Sequence, residues 1–378
     1  MIKEKKVLVL YRVIQQWRAP IFEKLNNDPN ISVSVWHGPD YPGTKLISTK
    51  DAQKFNLKKL PSFRLNLKSS NGQILMPISP LLFFQLIIEN PDVIISEGAS
   101  NLFNSIQGFI YAKLFNKKFI WWSLGKLKNR KYDNKRSKID YLIQFIERHS
   151  DSIISYSSRG LEYFESIGVK SEKIFVAVNV VDTDRILRFL DSNDLSNNYD
   201  KYHNDYDFVV LFVGALTKEK DIAKLLYAQK IIEDSALNIG LLIVGDGTYS
   251  NDLKNLSKQL ELDNVEFLGN RVNDSYIFFS SSDIFVLPGL GGLAVSEAMC
   301  YGLPVICSIG DGSEVDLVTV KNGIIDEELN PNSLAEYIIK FYNNKEMSKS
   351  FGLESKKLIL RNYNTDNYIK NIKNAILS

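Results

Sequence analysis

Two lysines and a glutamate mark the part of this sequence that could do chemistry on a phosphate group. Lys218 and Lys220 follow the apolar residues 208–213 and Gly214, where a strand is predicted to end. A lysine at that position can neutralise the charge that develops on a departing phosphate. Glu297 lies in a predicted helix further along the chain and can accept hydrogen bonds from a sugar diol. Together, these residue types predict a site for a nucleotide diphosphate.

A glycine-rich turn precedes that helix. The apolar residues 284–287 lead into the segment 288–292, which contains three glycines, and the helix is predicted to begin near Leu293. N–H groups at the start of a helix bind anions, and glycine lets a phosphate approach the backbone closely. We therefore expect the phosphates to be held by backbone groups of Gly291, Gly292, Leu293 and Ala294.

Length and composition predict two globular domains without a strong overall charge. The chain has 378 residues, of which 44% are hydrophobic and 24% are charged, and its net charge is +2. That charge argues against a nucleic-acid-binding protein, and the spacing of cysteines and histidines matches no metal site. No apolar stretch approaches the ~18 residues of a membrane-spanning helix. Because the N-terminus leads directly into a predicted strand rather than a signal peptide, we expect a cytoplasmic protein.

Both halves of the chain repeat strand–helix pairs. The predicted strands are apolar without alternation, which indicates parallel sheets covered on both faces and therefore two doubly wound, Rossmann-like α/β domains. The polar segment 191–207 predicts a linker. We place an N-terminal domain at 1–190 and a C-terminal domain at 205–359, and expect a C-terminal helix, about 360–378, to cross back onto the first domain. Two such domains facing across a cleft would bind a ligand between their strand ends.

Polar residues in the first half lie where predicted strands end. The loop after the first strand, residues 11–18, lacks a glycine fingerprint, which argues against a nucleotide phosphate there. Side chains at these strand ends suit a polar acceptor, while a solvated loop or a structural role for the histidine stays open. The candidate acceptor-binding residues are Arg12, Arg18, His37 and Glu97.

Two further segments of the first half have a composition suited to membranes. Residues Lys126 to Lys138 include seven Lys or Arg and one Asp. Such a run is a solvated loop face by default, but it also suits anionic lipid headgroups or a diphosphate. The apolar segment 74–88 could contact a membrane, although its helical spacing favours a core helix that starts near Pro80.

An ordered series of short motifs in this chain resembles the retaining GT-B glycosyltransferases of family 4, also called glycosyl transferases group 1. The matching segments follow the family in order and spacing and are residues 151–155, 173–182, 212–220, 242–247, 265–269, 283–288, 292–299 and 302–305. The resemblance implies a GT-B fold, with the donor nucleotide in the second domain and the acceptor in the first.

Three positions depart from the family pattern. Gly289 stands where the family usually has the first glutamate of its Glu-x7-Glu motif, and Glu297 matches the second. Ala215 replaces an arginine that binds the diphosphate with the following lysine, and Leu124 replaces a histidine near the reacting sugar. Arg271, just past a predicted strand, could supply the missing positive charge.

The resemblance implies transfer of a sugar from a nucleotide-diphosphate sugar, with UDP or GDP, to a hydroxyl of a saccharide acceptor. The expected acceptor is polyprenyl-linked, as in capsule or O-antigen assembly, and neither a metal nor another cofactor is expected. Lys220 and Glu297 are the expected catalytic residues. Two alternatives stay open: a non-catalytic subunit that stabilises another glycosyltransferase, and a nucleotide-sugar epimerase that would use His37 and Glu97 as acid and base.

Overall fold

The computed structural model describes residues 4–41, 48, 55–69, 72–126 and 138–378. The chain divides into two compact units, Met1–Val178 with Asp366–Ser378, and Asn179–Thr365. It therefore leaves the first unit at Val178 and returns to it at Asp366.

Most strands of the first parallel sheet have a buried, apolar centre. Within the described ranges, the strands of this unit are β1 (Lys5–Tyr11), β2 (Ile31–His37), β3 (Asn56–Lys59), β4 (Phe63–Ser69), β5 (Gly72–Ile78), β6 (Val93–Glu97), β7 (Lys118–Ser123), β8 (Ser152–Ser155) and β9 (Ile174–Val176). A parallel sheet has the order β3-β2-β1-β6-β7-β8-β9, and β4 and β5 pair separately as an antiparallel hairpin. The order of the parallel sheet reverses between β1 and β6, so their carboxyl ends flank the expected ligand crevice.

The helices of the first unit connect these parallel strands. They are α1 (Ala19–Asn26), α2 (Leu82–Glu89), α3 (Leu102–Leu114), α4 (Lys138–His149) and α5 (Ser158–Ser166). Strand side chains from Val7 to Tyr11 are at most 5% exposed, as expected for a sheet with helices on both faces.

The second unit repeats this plan. Its strands are β10 (Phe208–Val213), β11 (Ile239–Val244), β12 (Val265–Gly269), β13 (Ile284–Leu287), β14 (Val305–Cys307) and β15 (Gly323–Ile325). The sheet has the order β12-β11-β10-β13-β14-β15 and is parallel throughout. Its order reverses between β10 and β13. Two parallel sheets with this reversal confirm the doubly wound α/β fold predicted from the apolar strands.

Helices of the second unit follow in chain order. They are α6 (Thr183–Ser192), α7 (Ser196–His203), α8 (Ile222–Asp234), α9 (Ser250–Gln259), α10 (Ser275–Ser280), α11 (Leu293–Cys300), α12 (Glu314–Leu317), α13 (Pro331–Tyr342) and α14 (Lys345–Arg361). None of the helices described in either unit is long and apolar enough to cross a membrane.

The segment 191–207 is not a linker throughout, because part of it forms α7. Tyr202 of this helix is buried, and its ring centroid lies 6.3 Å from that of Phe278 in α10. The amide of Asn198 donates to Ser280 Oγ at 3.0 Å. The prediction missed the helix because single aromatic and polar side chains, rather than an apolar period, attach it to the unit.

The last helix, α15 (Thr365–Leu377), belongs to the first unit from Asp366 onward. Lys373 Nζ forms an ion pair with Asp28 at 2.8 Å, and Tyr368 accepts a hydrogen bond from Arg18. Lys118 Nζ donates to Ser378 Oγ at 2.9 Å. These contacts attach the last helix and Ser378 to the first unit.

Candidate functional site

The sheet order of the second unit brings the lysines and the glycine loop together. Lys218 and Lys220 lie in a short 3-10 turn after β10, and the glycine loop, residues 288–292, follows the neighbouring strand β13. Because both strands end at the carboxyl edge where the sheet order reverses, the two loops lie side by side.

Lys220 contacts the glycine loop directly. Its Nζ donates a hydrogen bond to the Leu290 carbonyl, and the same ammonium lies against Gly291. In return, the N–H of Leu290 donates to the carbonyl of Glu219 at 2.9 Å. The ammonium charge of Lys220 is thus held at the glycine loop, where it can act on a phosphate bound there.

The start of α11 has the geometry of an anion site. Gly291 has a φ of +131°, a conformation that favours glycine, and Gly292 precedes the helix without a side-chain cap. The first N–H groups of a helix have no partners within the helix. Those of Leu293 and Ala294 therefore face the carboxyl edge of the sheet beside Lys220, and they carry the positive end of the helix dipole.

An acidic loop after β14 also packs against the glycine loop, and it was not predicted from the sequence. Both Asp311 carboxylate oxygens lie within 3.2 Å of the position that a Cβ on Gly292 would occupy. Glu314 is fully buried and accepts the N–H of Gly312 at 2.9 Å. Burial, and then the charge of Asp311, raise the pKa of Glu314 to about 7. The sequence signal was a polar turn, residues 308–314, at the end of a predicted strand beside the glycine loop.

Glu297 lies one turn further along α11. Its Oε1 is 3.5 Å from Ser275 Oγ at the start of α10, and Ser275 was another residue that the sequence analysis missed. Burial raises the pKa of the Glu297 carboxyl, while the charge of Arg185 and the Ser275 hydrogen bond oppose that rise. A partly desolvated carboxylate of this kind binds hydroxyl donors strongly once a ligand supplies them.

Arg271 lies away from Lys220. Arg271 follows β12, and two strands, β11 and β10, lie between β12 and β13 in the sheet. Its Nε donates to both Asp274 carboxylate oxygens at 3.0 and 2.9 Å. Its guanidinium carbon is 5.3 Å from the centroid of the Phe278 ring. The structure thus places Arg271 on the Ser275 side of the site, where Asp274 already balances its charge.

The remaining donor-site candidates line the end of β10. The N–H of Gly214 donates to the Val244 carbonyl at 3.0 Å, which continues the pairing of β10 with β11. Lys218 Nζ lies 5.7 Å from the centroid of the Tyr249 ring. Lys218 therefore extends toward the β11 side of the edge, while Lys220 extends toward the glycine loop.

In the first unit, the sheet reversal brings Arg12 and Glu97 together. A Glu97 carboxylate oxygen accepts the backbone N–H of Arg12 at 2.6 Å, and the Arg12 guanidinium reaches the Leu75 carbonyl at 3.5 Å. Burial raises the pKa of Glu97, and the nearby Arg12 charge opposes that rise. This pair offers a carboxylate and a guanidinium at the crevice of the first sheet.

His37 ends β2 and lies opposite Tyr11 in the sheet register. It is 6% exposed, and its Nδ1 is 2.8 Å from the Gly38 carbonyl and 3.0 Å from Ser48 Oγ. Burial lowers the pKa of His37, so the ring is neutral at pH 7.

Arg18 lies inside the first unit. It is 1% exposed, and its guanidinium packs on the rings of Trp17, Trp122, Tyr156 and Tyr368. The acceptor-binding role expected for Arg18 does not match this position, because aromatic side chains enclose the charge and Tyr368 accepts its hydrogen bond.

Two expectations concern ions and charged surfaces. The basic run expected at Lys126 to Lys138 lies largely outside the described residues, which include its two end residues. Across the described ranges, no group of three or more His, Cys, Asp or Glu side chains is arranged to hold a metal ion.

Residues 194–358 match the family described as glycosyl transferases group 1. The capsular polysaccharide biosynthesis glycosyltransferase CapM of Staphylococcus aureus is 29% identical over 175 residues, 45% of this chain and 46% of CapM. An uncharacterized glycosyltransferase of Methanocaldococcus jannaschii, MJ1178, is 32% identical over 157 residues, 40% of this chain and 43% of that protein. The matched part of the chain thus spans slightly less than half the length of these two relatives.

Solved structures match over nearly the full length of the chain. Anabaena HepE in complex with UDP has a TM-score of 0.76 at 17% identity and covers 98% of this chain and 99% of its own. The lipopolysaccharide outer core galactosyltransferase WaaB has a TM-score of 0.71 at 17% identity, with the same two coverages. These likenesses establish the architecture, and the family match covers the unit that holds Lys220 and Glu297. The chain therefore has the GT-B fold, and its residues 194–358 are similar to the glycosyl transferases group 1.

Proposed function

We propose that this chain transfers a sugar from a nucleotide-diphosphate sugar to a hydroxyl group, with retention of the anomeric configuration. The observation that carries the proposal is the meeting of the Lys220 ammonium and the uncapped start of α11 at one glycine loop. Glu297 in the same helix is placed to accept hydrogen bonds from the ribose. Because HepE has been solved with UDP and with UDP-glucose, UDP is the donor nucleotide that we favour over GDP.

In this scheme, the bond between the anomeric carbon and the diphosphate oxygen breaks, and the electron pair leaves with the diphosphate. Lys220 and the N–H groups of Leu293 and Ala294 stabilise the charge that develops there. The acceptor hydroxyl forms the new bond on the same face of the sugar, and its proton passes to the departing phosphate oxygen. The leaving group thus serves as the base, and the scheme needs neither a metal nor another cofactor.

The proposed acceptor is a saccharide linked to a polyprenyl lipid, on the cytoplasmic face of a membrane. Arg12, His37 and Glu97 at the crevice of the first sheet supply the polar groups that a saccharide hydroxyl requires. CapM is named for capsular polysaccharide biosynthesis, and this similarity supports an acceptor of surface polysaccharide assembly. The basic run from Lys126 to Lys138 would then contact anionic lipid headgroups.

A non-catalytic partner subunit is the second candidate. It is favoured by the glycine at position 289, where the family has a carboxylate, and by the alanine at position 215, where it has an arginine. The two candidates differ in whether the purified chain alone turns over a donor.

The test measures thermal stabilisation by UDP, GDP and CMP, and then turnover of UDP-glucose, with the purified chain. Saturation with about a hundredfold excess of nucleotide over its Kd should stabilise the fold by about 2.7 kcal/mol.

Lys220→Ala should lower turnover by about a hundredfold, because one lost contact to a developing charge costs about 3 kcal/mol. Lys224→Ala is the matched control, since Lys224 pairs with Asp221 on the surface of α8. Equal turnover by Lys220→Ala and wild type would refute the role of Lys220, and stabilisation by UDP without any turnover would favour the partner subunit.

A further inference from the structure

Two arginines of the first unit lie close together at the hairpin of β4 and β5. The guanidinium of Arg12, which follows β1, reaches the Leu75 carbonyl in β5 at 3.5 Å. Two residues further along β5, Pro77 lies directly opposite Arg64 of β4 in the antiparallel register. Side chains of directly opposite residues lie on the same face of a hairpin, with their Cβ atoms about 5 Å apart. Arg12 and Arg64 therefore lie at neighbouring positions of the hairpin.

The turn after β2 packs the end of β1 against this hairpin. The N–H of Gly38 donates to the Arg12 carbonyl at 3.0 Å, and a Cβ added to Gly38 would lie 2.7 Å from Pro77 Cβ. Tyr41, a little further along the same turn, is 4% exposed. Burial raises the pKa of its hydroxyl, and the charges of Arg12 and Arg64 oppose that rise. Both guanidinium groups thus act on one buried hydroxyl at the crevice of the first sheet.

Neither guanidinium has a carboxylate partner in the described part of the chain. Arg12 and Arg64 form no ion pair there, and the buried Nε of Arg12 has no hydrogen-bond partner. Glu97 accepts the main-chain N–H of Arg12 rather than a donor of its guanidinium. A buried donor without an acceptor costs free energy, so such groups normally have a partner. Arg12 is therefore placed for a ligand that brings its own acceptor oxygens.

The charges around this crevice indicate the sign of that ligand. Lys59 at the end of β3 forms an ion pair with Asp40 at 3.6 Å, so these two charges balance each other. The remaining charges are the Glu97 carboxylate and three guanidinium groups, those of Arg12, Arg18 and Arg64. His37 adds no charge, because burial lowers its pKa. The described side chains thus leave an excess of positive charge, which an anionic ligand would balance.

We propose that Arg12 and Arg64 bind an anionic group of the acceptor saccharide, either the carboxylate of an acidic sugar or a phosphate on the sugar. A guanidinium presents its N–H donors in one plane and binds two oxygens of either group side by side. A neutral sugar offers only hydroxyl oxygens, which balance no charge. The inference rests on the proposed role of this crevice in acceptor binding, and it narrows the acceptor to a negatively charged saccharide.

The experiment compares glucose, glucuronic acid and glucose 6-phosphate as ligands of the purified full chain. These sugars differ only in the group at carbon 6, and ligand-observed NMR titration measures their dissociation constants without a donor nucleotide. Wild type should bind at least one of the two anionic sugars at least about tenfold more tightly than glucose, because hydrogen bonds to a charged partner are stronger than neutral ones. The anion that binds more tightly identifies the acceptor group as a carboxylate or a phosphate.

Arg64→Gln should weaken binding of the preferred anionic sugar at least about fivefold and leave glucose binding unchanged. The side chain of Arg64 is exposed, so we expect this variant to fold. Arg64→Lys keeps the charge without the planar donors and should retain part of the preference. The matched control is Arg148→Gln. Arg148 is exposed at the end of α4, which leads into β8 from the opposite edge of the sheet, so this variant should bind all three sugars like wild type.

Equal binding of the three sugars by wild type overturns the proposal. So does a preference for an anionic sugar that Arg64→Gln and Arg12→Gln both retain, because the anion would then bind elsewhere in the chain. Stabilisation by UDP is measured on separate samples and reports on the second unit. A chain that binds UDP but prefers no anionic sugar keeps the proposed donor site and loses this inference, and the reverse result loses the donor site alone.

Discussion

A Cβ added to Gly289 would lie 2.5 Å from the carbonyl carbon of Lys220. The two residues follow neighbouring strands, and the hydrogen bond from Leu290 N–H to the Glu219 carbonyl, at 2.9 Å, holds their loops together. The backbone that carries Lys220 therefore occupies the space into which a side chain at position 289 would extend. In this chain, the placement of the lysine on the glycine loop excludes the first glutamate of the family motif.

Gly289→Glu should consequently fail to restore a working carboxylate. The backbone at Glu219 and Lys220 must move to admit any Cβ, and that movement shifts the Lys220 ammonium away from the glycine loop. A shift of about 1 Å in a catalytic group can cost about a hundredfold in rate, so we expect Gly289→Ala and Gly289→Glu each to lose about that much UDP-glucose turnover. Gly168→Ala controls for the loss of a glycine. Gly168 has a φ of +90°, but a Cβ added there would have no atom within 4 Å, so no neighbouring backbone has to move. Higher turnover by Gly289→Glu than by wild type would contradict the packing argument.

Glu297→Gln should weaken UDP binding and remove the preference for ribose over 2′-deoxyribose. A carboxylate accepts hydrogen bonds from both hydroxyls of the diol, and each bond to a charged group contributes about 1.5–3 kcal/mol. We expect wild type to bind UDP at least about tenfold more tightly than 2′-deoxy-UDP, and Glu297→Gln to bind both with similar, weaker affinity. Isothermal titration calorimetry measures both ligands. Ser275→Ala keeps the carboxylate and should retain the discrimination. Undiminished discrimination in Glu297→Gln would exclude the ribose contact.

The architecture and the core of the candidate donor site were predictable from local sequence. Uninterrupted apolar strands indicate a parallel sheet, and a glycine loop followed by a helix indicates an anion site. Both signals are local, because they do not depend on contacts with distant residues. Lys220 could be placed because the loops after adjacent strands meet at one edge of the sheet. The acidic loop could not, because the approach of Asp311 to Gly292 depends on how the turns after β13 and β14 pack.

Arg18 shows the opposite limit of sequence reasoning. An arginine in a polar loop is normally solvated, and its burial here depends on Trp122, Tyr156 and Tyr368, which are distant in the sequence. Helix α7 was missed for a related reason, since Tyr202 finds its partner Phe278 through the tertiary fold. Long-range aromatic contacts of this kind leave no periodic signal in the sequence.

Arg18→Met should destabilise the first unit rather than weaken acceptor binding. The guanidinium stacks on buried rings, and a desolvated cation–π contact is worth about 2 kcal/mol. We expect a loss of about 2–4 kcal/mol in the free energy of unfolding. Urea unfolding followed by tryptophan fluorescence reports on this unit alone, because all four tryptophans lie in residues 17–122. Tyr368→Phe removes a single hydrogen-bond acceptor and should cost about 1 kcal/mol. If Arg18→Met is as stable as wild type but has a higher KM for the acceptor, the result would support an acceptor-binding role for Arg18 instead.

Glu147 should make the stability of the first unit depend on pH. Its side chain is 3% exposed and accepts a hydrogen bond from Tyr163 Oη at 2.9 Å, and burial raises the pKa of its carboxyl from 4.5 to about 7. The folded pKa is the higher one, so the stability that this group contributes is fully present below pH 4.5 and is lost as the pH rises through 7. This pKa shift corresponds to a contribution of about 3 kcal/mol to the free energy of unfolding.

We therefore expect wild type to lose stability between about pH 5 and pH 8 and Glu147→Gln to lose about 3 kcal/mol less over the same range. Tryptophan-monitored urea unfolding at a series of pH values measures both. Glutamine keeps an oxygen that can accept the Tyr163 hydroxyl but carries no charge at any of these pH values. Glu162→Gln on the surface of α5 controls for the loss of one carboxyl, and its pH profile should follow wild type. Parallel profiles for wild type and Glu147→Gln would mean that the ionised carboxylate is tolerated in the folded unit, and that burial does not set its pKa.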